Sequence, residues 1–284
     1  FDLPNFESLL RDAVRRQLVS DVPMAILLSG GFDSSLIASL AKEVSHKPIK
    51  AFTLGYKNQD WSEASRATQI AEYLDIEHEV IEFSDEELAE MIPEVIAAMD
   101  VPIFDSATIS MYAISKRIAQ DYKVALTGDG GDESFGGYER YRANIQLEKL
   151  MKILPPMPLP HLLLKDRLYN KLYRSIKIRN FGDRYDSMMR LYSDYLLEKV
   201  FSTWVDDSSS GSYSPAHAKI KNSKRTLIDM QNYDVNQYLP SDLLVKMDMA
   251  SMANGLEVRS PFLDPDLFAF GYSLPMNLKI RNGK

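Results

Sequence analysis

The chain has 284 residues, 45% of them hydrophobic and 26% charged, which is enough for a full core in one large domain or one domain with a helical appendage. A net charge of −7 argues against a nucleic-acid platform, and the absence of cysteine removes disulfides, thiolate nucleophiles and cysteine metal sites together. No stretch approaches the roughly 18 apolar residues of a membrane span and no signal-peptide pattern is present, so a cytoplasmic protein with no membrane partner is expected.

Pro4 to Ser20 places Phe6, Leu9, Leu10, Ala13, Val14 and Leu18 on one helical face, with Arg11, Arg15, Arg16 and Gln17 largely outside it. Met24 to Leu28 is an unbroken apolar run, which suits a strand covered on both faces. Ser29, Gly30 and Gly31 then allow a tight turn, and Asp33, Ser34 and Ser35 open a helix carrying Leu36, Ile37 and Leu40. Free N–H groups at such a helix start make an anion site. The stretch lacks both the lysine of G-x-x-x-x-G-K-[ST] and the G-x-G-x-x-G spacing, so it is another kind of phosphate loop.

Lys50 to Tyr56 reads as a second strand, and Ser62 to Asp75 as a helix with Ala64, Ala67, Ile70, Ala71 and Leu74 at helical spacing. His78 to Phe83 reads as a third strand, and Ser84 with Glu87 forms a capping box. Pro93 starts a further turn, Asp100 to Pro102 breaks into a loop, Ser106 to Tyr122 is helical, and Lys123 to Thr127 is a fourth strand. Strands alternating with helices predict a doubly wound parallel sheet with ligands at the C-terminal ends of its strands.

The fourth strand runs into TGDGGDESFGGY, residues 127–138, with Asp129, Asp132, Glu133 and five glycines. Folding alone has little use for so many glycines and mutually repelling acids, and the calcium-loop spacing is not met. Beyond it come a helix from Tyr141 to Leu154, a proline-rich piece at 155–160, and a Lys/Arg-rich stretch from Lys165 to Tyr185 that reads as a solvated helical face. Val205 to Ser214 is a polar loop. Tyr238 to Asp264 places Leu243, Leu244, Met247, Met252 and Ala253 near helical spacing, with Gly255 as C-cap. Arg259, among Val258, Pro261, Phe262 and Leu263, needs a partner, either a structural carboxylate or a ligand. His46, His78, His161 and His217 are scattered as surface or loop residues and predict no metal site. The expected organisation is a nucleotide-binding core over 1–150 and a mostly helical part over 151–284.

Ser-Gly-Gly-Phe-Asp-Ser-Ser, residues 29–35, resembles the pyrophosphate loop of the N-type ATP pyrophosphatases. With TGDGGDESFGGYERY and LLVKMDMASMANGLEVRSPFLD in that order, and DVPIFDSATISMYAISK before the second motif, the chain from Phe6 to Leu278 resembles the synthetase domain of the glutamine-dependent asparagine synthetase family. The resemblance implies a sheet of the adenine nucleotide alpha hydrolase-like type with ATP and Mg²⁺. A carboxylate, aspartate in the first instance, is adenylated with release of pyrophosphate, and ammonia then displaces AMP to give the amide. It implies pyrophosphate on Ser29, Gly30, Gly31, Ser34 and Ser35, the adenosine end on Leu28, Leu54, Thr127 and Gly128, and Mg²⁺ on Asp33 and Asp132.

Asp129 takes the position linked to forming and consuming the adenylate, where asparagine synthetases proper carry Glu. Displacements of about 1 Å can change rates about 10²-fold, so the shorter acid allows a sugar, peptide or antibiotic-precursor carboxylate instead. Lys246 and Arg259 match basic positions facing phosphate or substrate carboxylate, and substrate choice is expected around Asp105, Ser106 and Arg259. The family's glutaminase, with its Cys nucleophile, has no counterpart in these residues, and the chain opens at Phe1 as a piece of a longer polypeptide would. Ammonia is therefore expected from a separate domain or partner. The resemblance also implies a further lysine beyond Lys284, so weak ATP binding or poor turnover is expected of the chain by itself. A homodimer is allowed and not required. The rival readings are a tRNA-modifying or NAD-forming ligase, disfavoured by the charge and missing cysteine, and a catalytically silent nucleotide-binding module.

Overall fold

The computed structural model of the chain describes residues 2–57, 63–101, 105–153, 178, 180–189 and 227–280. Helix α1, Leu3–Gln17, starts where the Asp2 carboxylate accepts the N–H of Asn5 and Pro4 fits the first turn. It ends short of the expected Ser20, because the Ser20 hydroxyl bonds the backbone of Val22 and turns the chain. There follow β1, Met24–Leu27; α2, Phe32–Val44; β2, Lys50–Tyr56; α3, Ala64–Tyr73; and β3, Glu77–Phe83. Ser84 and Glu87 do exchange hydrogen bonds at the head of α4, Asp85–Glu90. Then come α5, Ile92–Ala98; α6, Ala107–Ile118; β4, Val124–Leu126; and α7, Gly131–Phe135.

The chain divides into two compact units. The first holds residues 1–135 and 238–275 and contains a five-stranded sheet in the order β3-β2-β1-β4-β5. All its pairings are parallel, as the alternation of elements predicts. Strand β5, Glu257–Arg259, was not expected: it adds to β4 with Leu126 opposite Arg259. Helix α11, Leu244–Met252, precedes it, and a 3₁₀ turn, Pro261–Leu263, and α12, Pro265–Ser273, follow. Gly255 takes φ 68° just past α11, as its C-cap assignment requires.

Both faces of the sheet are covered, which explains the unbroken apolar run of β1. Met24, Ile26 and Leu28 point into one cluster with Leu10, Val14, Ile37, Leu126 and Phe262. Ala25 and Leu27 point into the other, with Phe52, Ile114, Ile118 and Leu256. Among the described residues no helix is long and apolar enough to cross a membrane.

The second unit holds 136–237 and 276–284. Its described elements are α8, Glu139–Ile153; α9, Phe181–Met189; α10, Leu227–Tyr233; and α13, Met276–Lys279. The expected division at residue 150 falls inside α8, and 238–275 joins the first unit because β5 belongs to its sheet. The unit is built on buried polar pairs. The Arg184 guanidinium, fully buried, donates to Glu148 at 2.5 Å and to Asn144 at 2.9 Å. Asp234 Oδ2 accepts from Arg140 at 2.6 Å, Tyr141 at 2.6 Å and Tyr185 at 2.8 Å. The proline-rich piece, most of the basic stretch and the polar loop at 205–214 lie outside the described residues.

Candidate active site

Parallel pairing of β1 with β4, Ile26 opposite Leu126, sends the serine–glycine loop and the acidic loop off the same end of the sheet. They touch there. A Cβ on Gly128 would lie 2.8 Å from the Ser34 nitrogen, and one on Gly131 would lie 2.5 Å from Asp33 Oδ2. Only glycine lets the second loop pass so close to the head of α2.

The first loop is held in shape by its own hydroxyls. Ser29 and Ser34 share an Oγ···Oγ contact of 3.0 Å, and the Gly31 N–H donates to Ser29 Oγ at 3.2 Å. Ser35 Oγ donates to the Gly31 carbonyl at 2.5 Å. Helix α2 begins after Gly31 with no side chain capping it, and Asp33 is the acidic residue of its first turn.

The Asp33 carboxyl is pushed up to about 6, first by burial and then by the charges of Asp132 and Asp129. The Asp129 carboxyl is also raised by burial, against the pull of the Thr127 hydroxyl and the charge of Lys246. Thr127 Oγ1 donates to Asp129 Oδ2 at 3.0 Å, while Ser260 Oγ donates to the Asp129 carbonyl and so ties the acidic loop to the end of β5. Asp33, whose ionisation the charges of Asp132 and Asp129 disfavour, is a carboxylate that a nearby hard cation would relieve. Among the described residues no three His, Asp or Glu side chains form a complete metal cage.

Of the residues assigned to the adenosine end, Leu28 is packed into the core with 1% of its surface exposed, and its carbonyl accepts the Thr53 hydroxyl. That hydroxyl also meets His78 Nε2 at 2.8 Å, so His78 is a strand residue tied into the sheet instead of a loop residue. Leu54 is partly buried against the second apolar cluster. Thr127 and Gly128 lie at the exit of β4, beside the head of α2.

Lys246 is mostly buried on α11, and its ammonium donates to the Asp105 carboxylate. Arg259 does not join the cluster. Its guanidinium donates to the carbonyls of Gln17 at 3.0 Å and Val19 at 2.8 Å and to Glu257 at 2.6 Å, so it caps the end of α1. Its Nε and Nη1 donors are thus engaged by backbone and by its own strand, and no bond from Arg259 to the acidic loop is among them. Sequence reasoning missed Ser260 and the packing of Leu263 against Gly130. Both depend on β5, whose three residues carry no readable strand pattern.

The chain matches the family described as Asparagine synthase over residues 5–284. It is 32% identical over 278 residues to asparagine synthetase [glutamine-hydrolyzing] 1 of Bacillus subtilis (strain 168), a match covering 96% of this chain and 44% of that protein. It is 31% identical to a putative asparagine synthetase [glutamine-hydrolyzing] of Mycobacterium bovis, covering 96% and 42%, and 25% identical to amidase chyE of Penicillium rubens, covering 96% and 46%. It thus spans less than half the length of these relatives. The serine–glycine loop, the acidic loop and the β5 motif lie within one matched stretch, and the chain belongs to the asparagine synthase family.

Proposed function

We propose that the chain is an ATP-dependent amide-forming synthetase unit that adenylates a carboxylate, aspartate in the first instance, and passes ammonia to it. The observation that supports this reading is the close approach of Gly128 and Gly131 to Asp33 and Ser34 at the head of α2, which brings the acidic loop beside the serine–glycine loop. A substrate carboxylate oxygen bonds the α-phosphorus of ATP as the bond to the bridging oxygen breaks, and pyrophosphate leaves. Ammonia then bonds the acyl carbon, the carbon–oxygen bond to AMP breaks, and a proton leaves nitrogen.

In this reading Ser29, Gly30, Gly31, Ser34 and Ser35 hold the departing pyrophosphate through N–H groups, hydroxyls and the positive end of α2. Leu28, Leu54, Thr127 and Gly128 border the adenosine end. Asp33 and Asp132 would hold Mg²⁺, which when bound neutralises phosphate charge. Asp129, buried and oriented by Thr127, takes the proton from the attacking nitrogen. Lys246 sets a positive charge beside it. Ammonia comes from a glutaminase domain or partner.

The test is ATP–pyrophosphate exchange by the native polypeptide with a panel of carboxylates. Exchange with aspartate supports the first reading. Exchange with another acid only supports the second, amidation of a different carboxylate, which the shorter Asp129 and the likeness to amidase chyE favour. Exchange with none overturns both.

A further inference from the structure

Three carboxylates compete for one ammonium in the first unit. Lys246 donates to Asp105, and its charge also acts on Asp129 and on Asp242, which stands four residues earlier in the chain. A lysine ammonium is a compact charge on a flexible stem, so a carboxylate held in place helps fix where it rests. Asp105 is fixed twice over: its other oxygen accepts the Ala107 N–H at 2.9 Å at the head of α6, and α6 packs along α11, which carries Lys246. Burial alone would raise the Asp105 carboxyl, yet these hydrogen bonds hold it below its ordinary range. Asp129, by contrast, takes a neutral donor, the Thr127 hydroxyl, on Oδ2.

We propose that Asp105 is a positioning residue for the ammonia step: by engaging Lys246 it keeps the ammonium beside Asp129 and not on it, leaving an Asp129 oxygen open to the incoming nitrogen. This rests on the reading of Asp129 as proton acceptor given above. With the charge at 105 removed, Lys246 moves onto Asp129 or Asp242. On Asp129 it occupies the oxygen that the reaction needs. On Asp242 it withdraws the positive charge from the reacting groups. Either way the second half-reaction suffers, while adenylation, which uses the serine–glycine loop and the Asp33–Asp132 pair, continues.

The experiment compares Asp105→Asn, Asp105→Glu, Lys246→Met and the double variant Asp105→Asn/Lys246→Met in the native polypeptide, measuring pyrophosphate exchange and amide formation separately. Asp105→Asn keeps the size of the side chain and an acceptor for the Ala107 N–H. It is expected to slow amide formation about 10- to 100-fold, the scale of a misplaced reacting group, with a much smaller loss in exchange. Asp105→Glu, which keeps the charge, is expected to recover much of that loss. The double variant is expected to be no slower than Lys246→Met alone, because Asp105 acts through Lys246.

Equal losses in exchange and amide formation, a Glu variant as slow as the Asn variant, or additive losses in the double variant would each overturn the proposal by making Asp105 a structural brace. If Lys246→Met fails to slow amide formation, the proposal also falls while the synthetase reading stands. If the unaltered protein exchanges with no carboxylate, the synthetase reading fails first and takes this inference with it.

Discussion

Asp33 lies among acids, and the sign of its contribution to stability follows from that. Its carboxyl ordinarily titrates near 3.8 and in the folded chain near 6. Between those values the native state keeps a proton that the unfolded chain has released, so stability falls as pH rises through the window and stays low above it. Asp33→Asn mimics the protonated acid. In urea unfolding at pH 7 without divalent cations it is expected to gain about 1–2 kcal/mol after allowance for solvent screening. Exchange activity should vanish in the same variant, a trade of stability against function at one side chain. Arg259 behaves in the opposite way. Its bonds to Gln17, Val19 and Glu257 hold the end of α1, so Arg259→Ala is expected to cost about 1–2 kcal/mol by loss of charged hydrogen bonds. The KM values for ATP and for the carboxylate should move together or not at all. A selective rise for the carboxylate would return Arg259 to the site. The sequence showed correctly that this arginine needs a partner, but not which one, since α1 and β5 meet only in the folded sheet.

At the level of elements, the glycines of the acidic loop matter by what they let approach. Gly131→Ala places a methyl group 2.5 Å from Asp33 Oδ2, and it is expected to reduce exchange at least tenfold while the far-ultraviolet circular dichroism stays unchanged. The capping box of α4 offers a control. The Ser84 hydroxyl accepts the Glu87 N–H and also bonds the Glu86 side chain, so Ser84→Ala should cost about 1 kcal/mol and leave activity intact. Strand β2 was legible to its last residue, because an apolar stretch rich in β-formers ends at Lys57 and is followed by a helical period. Strand β5 was not, because three residues ending in Glu257 and Arg259 have no alternation of their own and take strand form from the register of β4. The helix expected near Leu243 proved to be two pieces, a π-helical segment, Asp234–Leu243, followed by α11. Pro240 lies inside the first piece, where its missing N–H removes an ordinary helical bond.

For the molecule as a whole, alternating strands and helices made the sheet and the position of the serine–glycine loop readable, because both follow from local pattern. The partition into units was not readable, because it depends on a distant segment joining the sheet. The second unit relies on charge burial, which periodicity does not reveal. Asp234 is wholly buried with Oδ2 holding three donors and Oδ1 without a hydrogen-bond partner among the described residues. Asp234→Ala is expected to destabilise that unit by about 3 kcal/mol or more, because it removes the buried carboxylate to which Arg140, Tyr141 and Tyr185 donate. Thermal unfolding followed at the tyrosines is the measurement, and a shift within error would mean the network is dispensable.

The attachment of Ser260 to Asp129 and of Leu263 to Gly130 has a bearing on how the protein is made. A nascent chain that has emerged only to Tyr238 already carries the serine–glycine turn, all three clustered acids and the Thr127 bond to Asp129, yet neither Ser260 nor Leu263, which hold the turn bearing Asp129 from the β5 side. Nucleotide affinity should therefore switch on late in translation, when the Glu257–Leu263 stretch clears the ribosome and docks. Ribosome-stalled chains of increasing length, probed with a fluorescent ATP analogue, would register that onset as a step instead of a ramp.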